Sequence, residues 1–255
     1  MRFSYPLLLT LLCLACSKEQ KPSPDRFEVI LDGSPRISGT KAYLNSPFVT
    51  AGDRAYMVGH QDGSFPELGW HIKGEMGGIW NHPIKLMDGF QAVLIENDRR
   101  LPLEKASAFV NFPMANKHLY TLEDDNLIVN RWQFVPDGKQ GLVVQYTIEN
   151  IGAANRNLTL EFTGFSDLRP TWLGERSGML DHADQAVYAS DSQTWNMADT
   201  GNPWHVIFGG GLPVASQEEV ENPYSGQGAA GTLRYTLSIP SGNTQVINFV
   251  VAGSY

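Results

Sequence analysis

The chain has 255 residues, 42% of them hydrophobic, and a formal net charge of −8. That is enough apolar material for one large β domain or two small ones. The acidity excludes a nucleic-acid partner, whose phosphates need a basic surface, and is compatible with a neutral ligand such as a glycan.

The N-terminus opens with the basic Arg2. An apolar run from Tyr5 to Leu14 follows, holding six leucines, and the small Ala15 precedes Cys16. This is the order of a secretory signal. A membrane-spanning helix needs about 20 apolar residues, and the run is half that length. Residues 1–15 are read as a signal peptide, 16–26 as a polar, proline-containing tether and 27–255 as one β domain, with no linker-like stretch dividing it. Leu14-Ala15-Cys16 resembles the lipobox of bacterial lipoproteins, whose cysteine becomes the acylated first residue; it departs from the pattern at Cys13, where a leucine is usual. Cleavage there removes Cys13 and Arg2, which leaves a net charge of −9 (−8 − 1) and Cys16 as the lone cysteine. No intrachain disulfide can then form. An unpaired cysteine in an exported protein needs a reason, and acylation of Cys16 supplies one. A single acyl chain holds only marginally, so stable anchoring takes more than one. The expected location is the bacterial cell envelope, lipid-anchored to a membrane on its periplasmic or surface side.

Beyond the tether, short runs bounded by Gly, Pro, Asn or Asp read as strands. Candidates are Phe27–Leu31, Ala55–Gly59, Phe90–Ile95, His118–Leu122 and Leu127–Phe134. Farther on, Val144, Tyr146 and Ile148 alternate with polar neighbours, as do Leu158, Leu160 and Phe162. A period of two puts each set on one face of a strand. The turn-rich stretch Asn150 to Asn157 predicts that these two runs pair as a hairpin. Leu233 to Ile239 repeats the alternation, and Pro240-Ser241-Gly242-Asn243 turns the chain into a last run, Gln245 to Val251. About ten strands without helical crossovers exclude a parallel βαβ design and predict an all-β antiparallel sandwich with few helices.

The unusual segment is Gly52 to Phe90, where eight of 39 residues are glycine. A long glycine-rich stretch in a compact domain needs a reason, and loops carry function more often than cores do. It holds Trp70, Trp80, His60, His71 and His82. His60 with Asp62 and His71 with Glu75 offer imidazole and carboxylate, but their spacings match no compact metal signature. No metal or other cofactor is therefore predicted. Glu75, Asp88, Asp167, Glu175 and Asp181 could supply an acid and a base, which glycoside hydrolysis needs about 5 to 10 Å apart; sequence does not give that distance. Trp70, Trp80, Trp172, Trp195 and Trp204 sit in Gly/Asp/Asn-rich surroundings. Exposed indole faces suit sugar rings, whereas buried ones plug the ends of a sandwich. The chain carries no G-x-S-x-G elbow, P-loop or dinucleotide fingerprint.

The run GHQDGSFPELGWHIKGEMGGIWNHPIKLMDGF (residues 59–90) resembles the N-terminal β-domain of bacterial glycogen-debranching-type proteins, in the six-hairpin glycosidase group. Gly141 to Trp172, GERSGMLDHADQAVY (174–188) and the closing INFVVAGSY are similar to later parts of that domain. The resemblance implies a β-supersandwich of the galactose-mutarotase type that packs on an (α/α)6 barrel, and an α-glucan or other oligosaccharide as ligand. In that family the catalytic carboxylates belong to the barrel, which this sequence does not include, so no catalytic residue is carried over. The 59–90 loop is the part expected to reach the substrate cleft, through Trp70, His71, Glu75, Trp80 and His82. Two other readings stand beside this one. A stand-alone mutarotase-like enzyme would use His71, Glu75, His82, Glu175 and His182 as acid and base, and requires them in one open cleft. A surface glycan-binding lipoprotein requires two or more coplanar, exposed tryptophans.

Overall fold

A computed structural model describes residues 26–255, with the Glu175 side chain excepted. The signal peptide, Cys16 and nearly all of the tether lie outside the described residues.

Alternation along the chain resolves, among the described residues, into seventeen strands. The first six are β1 (Ile37–Ser38), β2 (Pro47–Ala51), β3 (Tyr56–His60), β4 (Gly78–Asn81), β5 (Ile84–Glu96) and β6 (Arg99–Pro102). Next come β7 (Ala108–Asn111), β8 (Ala115–Leu122), β9 (Leu127–Phe134), β10 (Gly141–Asn150), β11 (Arg156–Pro170) and β12 (Asp184–Ala189). The last are β13 (Thr194–Asp199), β14 (His205–Gly210), β15 (Ser216–Val220), β16 (Ala230–Ile239) and β17 (Thr244–Ser254). Nine form one sheet in the order β1-β7-β8-β9-β10-β17-β14-β13-β12. Eight form the other, β15-β16-β11-β5-β4-β3-β2, with β6 also on β5. Neighbouring strands are antiparallel throughout both sheets. The architecture is the antiparallel β-supersandwich that the alternation and the resemblance imply.

The core lies between the sheets. Phe162 on β11 stacks on Phe249 on β17 with ring centroids 4.0 Å apart, which joins the two layers. Leu158, Leu160 and Phe162 therefore point inward, and Thr159, Glu161 and Thr163 point out of the eight-stranded sheet. Large inward side chains make the contact dry; both Phe162 and Phe249 are fully buried.

Two expectations are corrected. The runs 141–150 and 156–163 are no hairpin: β10 pairs with β9 and β17 in one sheet, and β11 with β5 and β16 in the other. Both strands are apolar on their inward faces, and across the core β11 meets β14 and β17 through Phe162, Phe208 and Phe249. Asn150 fixes this crossover. Its side-chain amide donates to Ala154 O at 2.8 Å and Ile239 O at 3.0 Å. The β16–β17 turn crosses beside it, and the Gly242 and Asn150 N–H groups donate to Asn150 O and Asn243 O. The second correction is residues 27–31, read as a strand. Residues Arg26–Ile30 form a short helix, α1, which lays Phe27 against Trp132 with centroids 5.5 Å apart.

Candidate functional site: a loop-built face on the eight-stranded sheet

In the ladders of the eight-stranded sheet, Tyr56 lies opposite Trp80, Trp80 opposite Lys85, and Lys85 opposite Arg169. Residues directly opposite on antiparallel strands share a face, so these four side chains form one row across β3, β4, β5 and β11. The row divides the glycine-rich segment into a buried part and an exposed part.

The buried part centres on Lys85, which is 1% exposed. Its ammonium donates to Asp88 Oδ1 at 2.5 Å, Asp167 Oδ2 at 2.9 Å and Gly74 O at 3.0 Å. Arg169 adds an ion pair to Asp167 at 2.9 Å and donates to Lys73 O at 3.2 Å. A buried charge is tolerated when it is paired and hydrogen-bonded, and here all three ammonium protons have acceptors. Two of the four acceptors around these cations are backbone carbonyls of the 66–77 loop. The ion network thus ties that loop to the sheet. Gly74 sits at φ +79 with Arg169, Lys85 and Asp88 around the position a Cβ would take, so glycine lets the backbone approach the charges.

Burial pushes the Asp88 carboxyl up to about 7, with the Asp167 charge adding to it and Lys85 opposing it. Its Oδ2 is buried with no hydrogen-bond partner. Two further acids crowd the same end of the sheet. Burial raises Asp184 to about 7 although Ser166 and Leu168 donate to it. Burial and the Asp167 charge raise Asp181 to about 6.

The exposed part begins at Trp70, 87% exposed. Glu75 shapes its loop: the N–H groups of Trp70, His71 and Ile72 donate to its carboxylate at 2.9, 2.8 and 3.2 Å. These bonds hold the Glu75 carboxyl below its usual range, the His71 N–H foremost. The loop presents His71 to Trp172 at 5.1 Å between ring centroids. Trp172 is 39% exposed and carries the Arg176 guanidinium over its ring at 5.7 Å. His71, Trp172 and Arg176, from two loops, make an exposed aromatic and cationic platform, and Trp70 stands exposed beside His71 in the chain.

The five expected contact residues therefore separate. Trp70, His71 and Glu75 belong to the exposed loop, with Glu75 committed to its backbone. Trp80 is a correction: at 2% exposure it has no free face for a ligand. It lies in the sheet row beside Tyr56 and His82, and its indole N–H donates to Gly77 O at 2.9 Å. His82 is exposed, but its Nε2 is 2.8 Å from the Tyr56 hydroxyl, whose pKa burial raises to about 12. Among the described residues, the three histidines of the histidine–glutamate reading have separate neighbours. His71 faces Trp172, His82 faces Tyr56, and His182 lies against Asn202 and Asp199. The Glu175 side chain lies outside the described residues. Of the acids considered in pairs, Asp88 and Asp167 do meet, with Lys85 between them. Lys85 and Arg169 were not expected. Their signal was a cation in a strand run: Lys85 in the apolar IKLM, and Arg169 in DLRP two positions from Asp167.

No protein-family model matches the chain, and no curated protein does. Solved structures match the fold. One is described as a kojibiose phosphorylase from the human microbiome: 9% identity and a TM-score of 0.55 over 86% of this chain and 32% of that one. The chain thus spans about a third of the length of that protein. Another is described as an aldose 1-epimerase from Escherichia coli K12: 8% identity and a TM-score of 0.56 over 82% of this chain and 99% of the other.

Proposed function

We propose that this chain is a glycan-contacting, non-catalytic β-domain of a carbohydrate-processing lipoprotein of the glycogen-debranching or α-glucosidase kind. The observation that carries this reading is the exposed His71–Trp172 contact, with Trp70 exposed on the His71 loop that Glu75 staples. Large aromatic faces left in water with hydrogen-bonding groups at their edges suit the C–H and O–H faces of sugar rings. Support for a sugar ligand comes also from the fold, which occurs in proteins described as a phosphorylase and an epimerase of sugars. The platform contributes affinity and position, while the chemistry belongs to an (α/α)6 barrel, as the resemblance of residues 59–90 implies. Calorimetric titration with malto-oligosaccharide tests the reading. Binding that is lost in Trp70→Ala and Trp172→Ala is the expected result; absence of heat at millimolar glycan overturns it.

The outer face of the nine-stranded sheet supports the barrel as partner. Val187, Ile207, Val246 and Val250 are exposed there, and Ile207 and Val250 with Val143 line an apolar groove of about 490 Å3. A monomer seldom leaves such a strip in water without a use. The DNA downstream of the Tyr255 codon is the direct check: the expected frame, in phase or adjacent, encodes a helical barrel. Acylated Cys16 would hold the assembly at a membrane.

A further inference from the structure

The eight-stranded sheet has a gap. β4 pairs with β5 only as far as Met87, and β6 takes over only from Val93. Between them the β5 edge has the Leu103 N–H donating to Ala92 O. A cavity of about 310 Å3 opens at this gap, between the 63–67 loop, Leu103–Glu104 and Pro223–Tyr224. Phe65, Phe90, Phe165 and Tyr224 line it, the three phenylalanines nearly enclosed, so its accessible surface is mixed polar and apolar. Phe165 and Tyr224 are in ring contact at 5.2 Å, and the Tyr224 hydroxyl donates to Phe65 O at 2.8 Å, so the far wall is fixed. Gln91, Glu104 and Glu67 supply the polar groups. Glu67 already has Lys73 at 2.5 Å and the Ser225 N–H at 2.7 Å. Glu104 is bonded by the Gln91 side-chain amide and, among the described residues, has no cation.

We propose that this cavity is a second sugar subsite, separate from the exposed platform, that takes a single neutral hexose ring and rejects anionic sugars. Three features lead there. The volume stands at the lower end of the range of about 300–1,000 Å3 for ligand sites, which suits one ring and not a chain. A surface of mixed polar and apolar character, with Gln91, Glu104 and Glu67 among its lining, matches a ring that is apolar on its faces and hydroxylated at its edge. The uncompensated Glu104 carboxylate repels a uronate or sugar phosphate brought beside it. The inference rests on the carbohydrate reading, since the platform would hold the body of the glycan while the cavity holds a terminal unit.

NMR titration of the protein with maltotriose and with glucuronate, following the Gln91 side-chain amide and the tryptophan indole signals, separates the two. Maltotriose is expected to move the Gln91 amide, glucuronate to leave it in place, and Gln91→Ala to weaken maltotriose binding about tenfold, the loss of one good hydrogen bond. Glu104→Gln is the second variant, should Gln91→Ala fail to fold; it is expected to admit glucuronate. If maltotriose moves only the Trp70 and Trp172 indoles, the cavity proposal falls and the carbohydrate reading stands. If it moves neither set, both fall. Glucuronate bound as tightly as maltotriose overturns the proposed selectivity.

Discussion

Two halves of one glycine-rich segment behave in opposite ways. From Gly77 to Phe90 the chain is nearly all buried, its charges are paired, and its single indole is enclosed. From Leu68 to Met76 it stands in solvent, with an indole bare on the surface and a glutamate spent on shaping the backbone. Lys85 joins them by holding the Gly74 carbonyl. The comparison teaches that a compositional oddity can have two causes: Gly74 and Gly78 let backbone reach buried charge, with Lys85 beside the place of each Cβ, while Gly69 leaves room for the Ile72 carbonyl in the loop around Glu75.

The division is open to attack by substitution. Lys85→Met should have the largest effect, about 3–5 kcal/mol of stability by urea denaturation, because Asp88 and Asp167 lose their shared cation while buried. A loss below 1 kcal/mol would mean that the network holds nothing together. Trp80→Ala should cost about 3–5 kcal/mol through the cavity it leaves and leave glycan affinity per folded molecule unchanged. Trp70→Ala should do the reverse: stability shifts by less than about 0.5 kcal/mol, as for surface positions generally, while glycan binding is lost.

The acids sharpen the same contrast through pH. Asp88 and Asp184 have folded-state pKa values raised from the usual carboxyl range to about 7. The folded protein therefore binds these protons more tightly than the unfolded chain, so their contribution is fully present below about pH 4 and is lost as pH rises to about 7. Glu67 and Glu161, held low by Lys73 and by Arg100 and Arg234, act oppositely: their contribution is lost as pH falls below about 4. Tm is expected to decline between pH 5 and 8, and Asp184→Asn should flatten that decline; an unchanged slope would remove Asp184 from the account. Cys16→Ser tests the anchor: the protein should move from the membrane fraction to the soluble one.

Much of the frame was legible in the residues. The Leu127–Phe134 run is β9 to the residue, because a strand with one buried face repeats every two positions. The pairing of 141–150 with 156–163 was misread for the same reason. Period two says that a face is buried, but not against which sheet, and the Asn150 bonds that send the chain across the core are tertiary. Residues 26–30 form a helix because Phe27 finds Trp132, a partner more than a hundred positions away. In the site, Trp70, His71 and Glu75 were legible as loop residues. The assembly of Lys85 with Asp167 was not, since 82 positions separate them and only the β5–β11 ladder brings them together.

The Glu75 staple has a consequence for timing. Three amides are already gathered on one carboxylate before any ligand arrives, so the loop has little left to organise on encounter. Little ordering entropy is then drawn from the binding free energy, and association should follow a single exponential with a rate set by collision and orientation. Glu75→Ala would slacken the loop, and the cost would fall on the speed of capture rather than on the folded frame beneath.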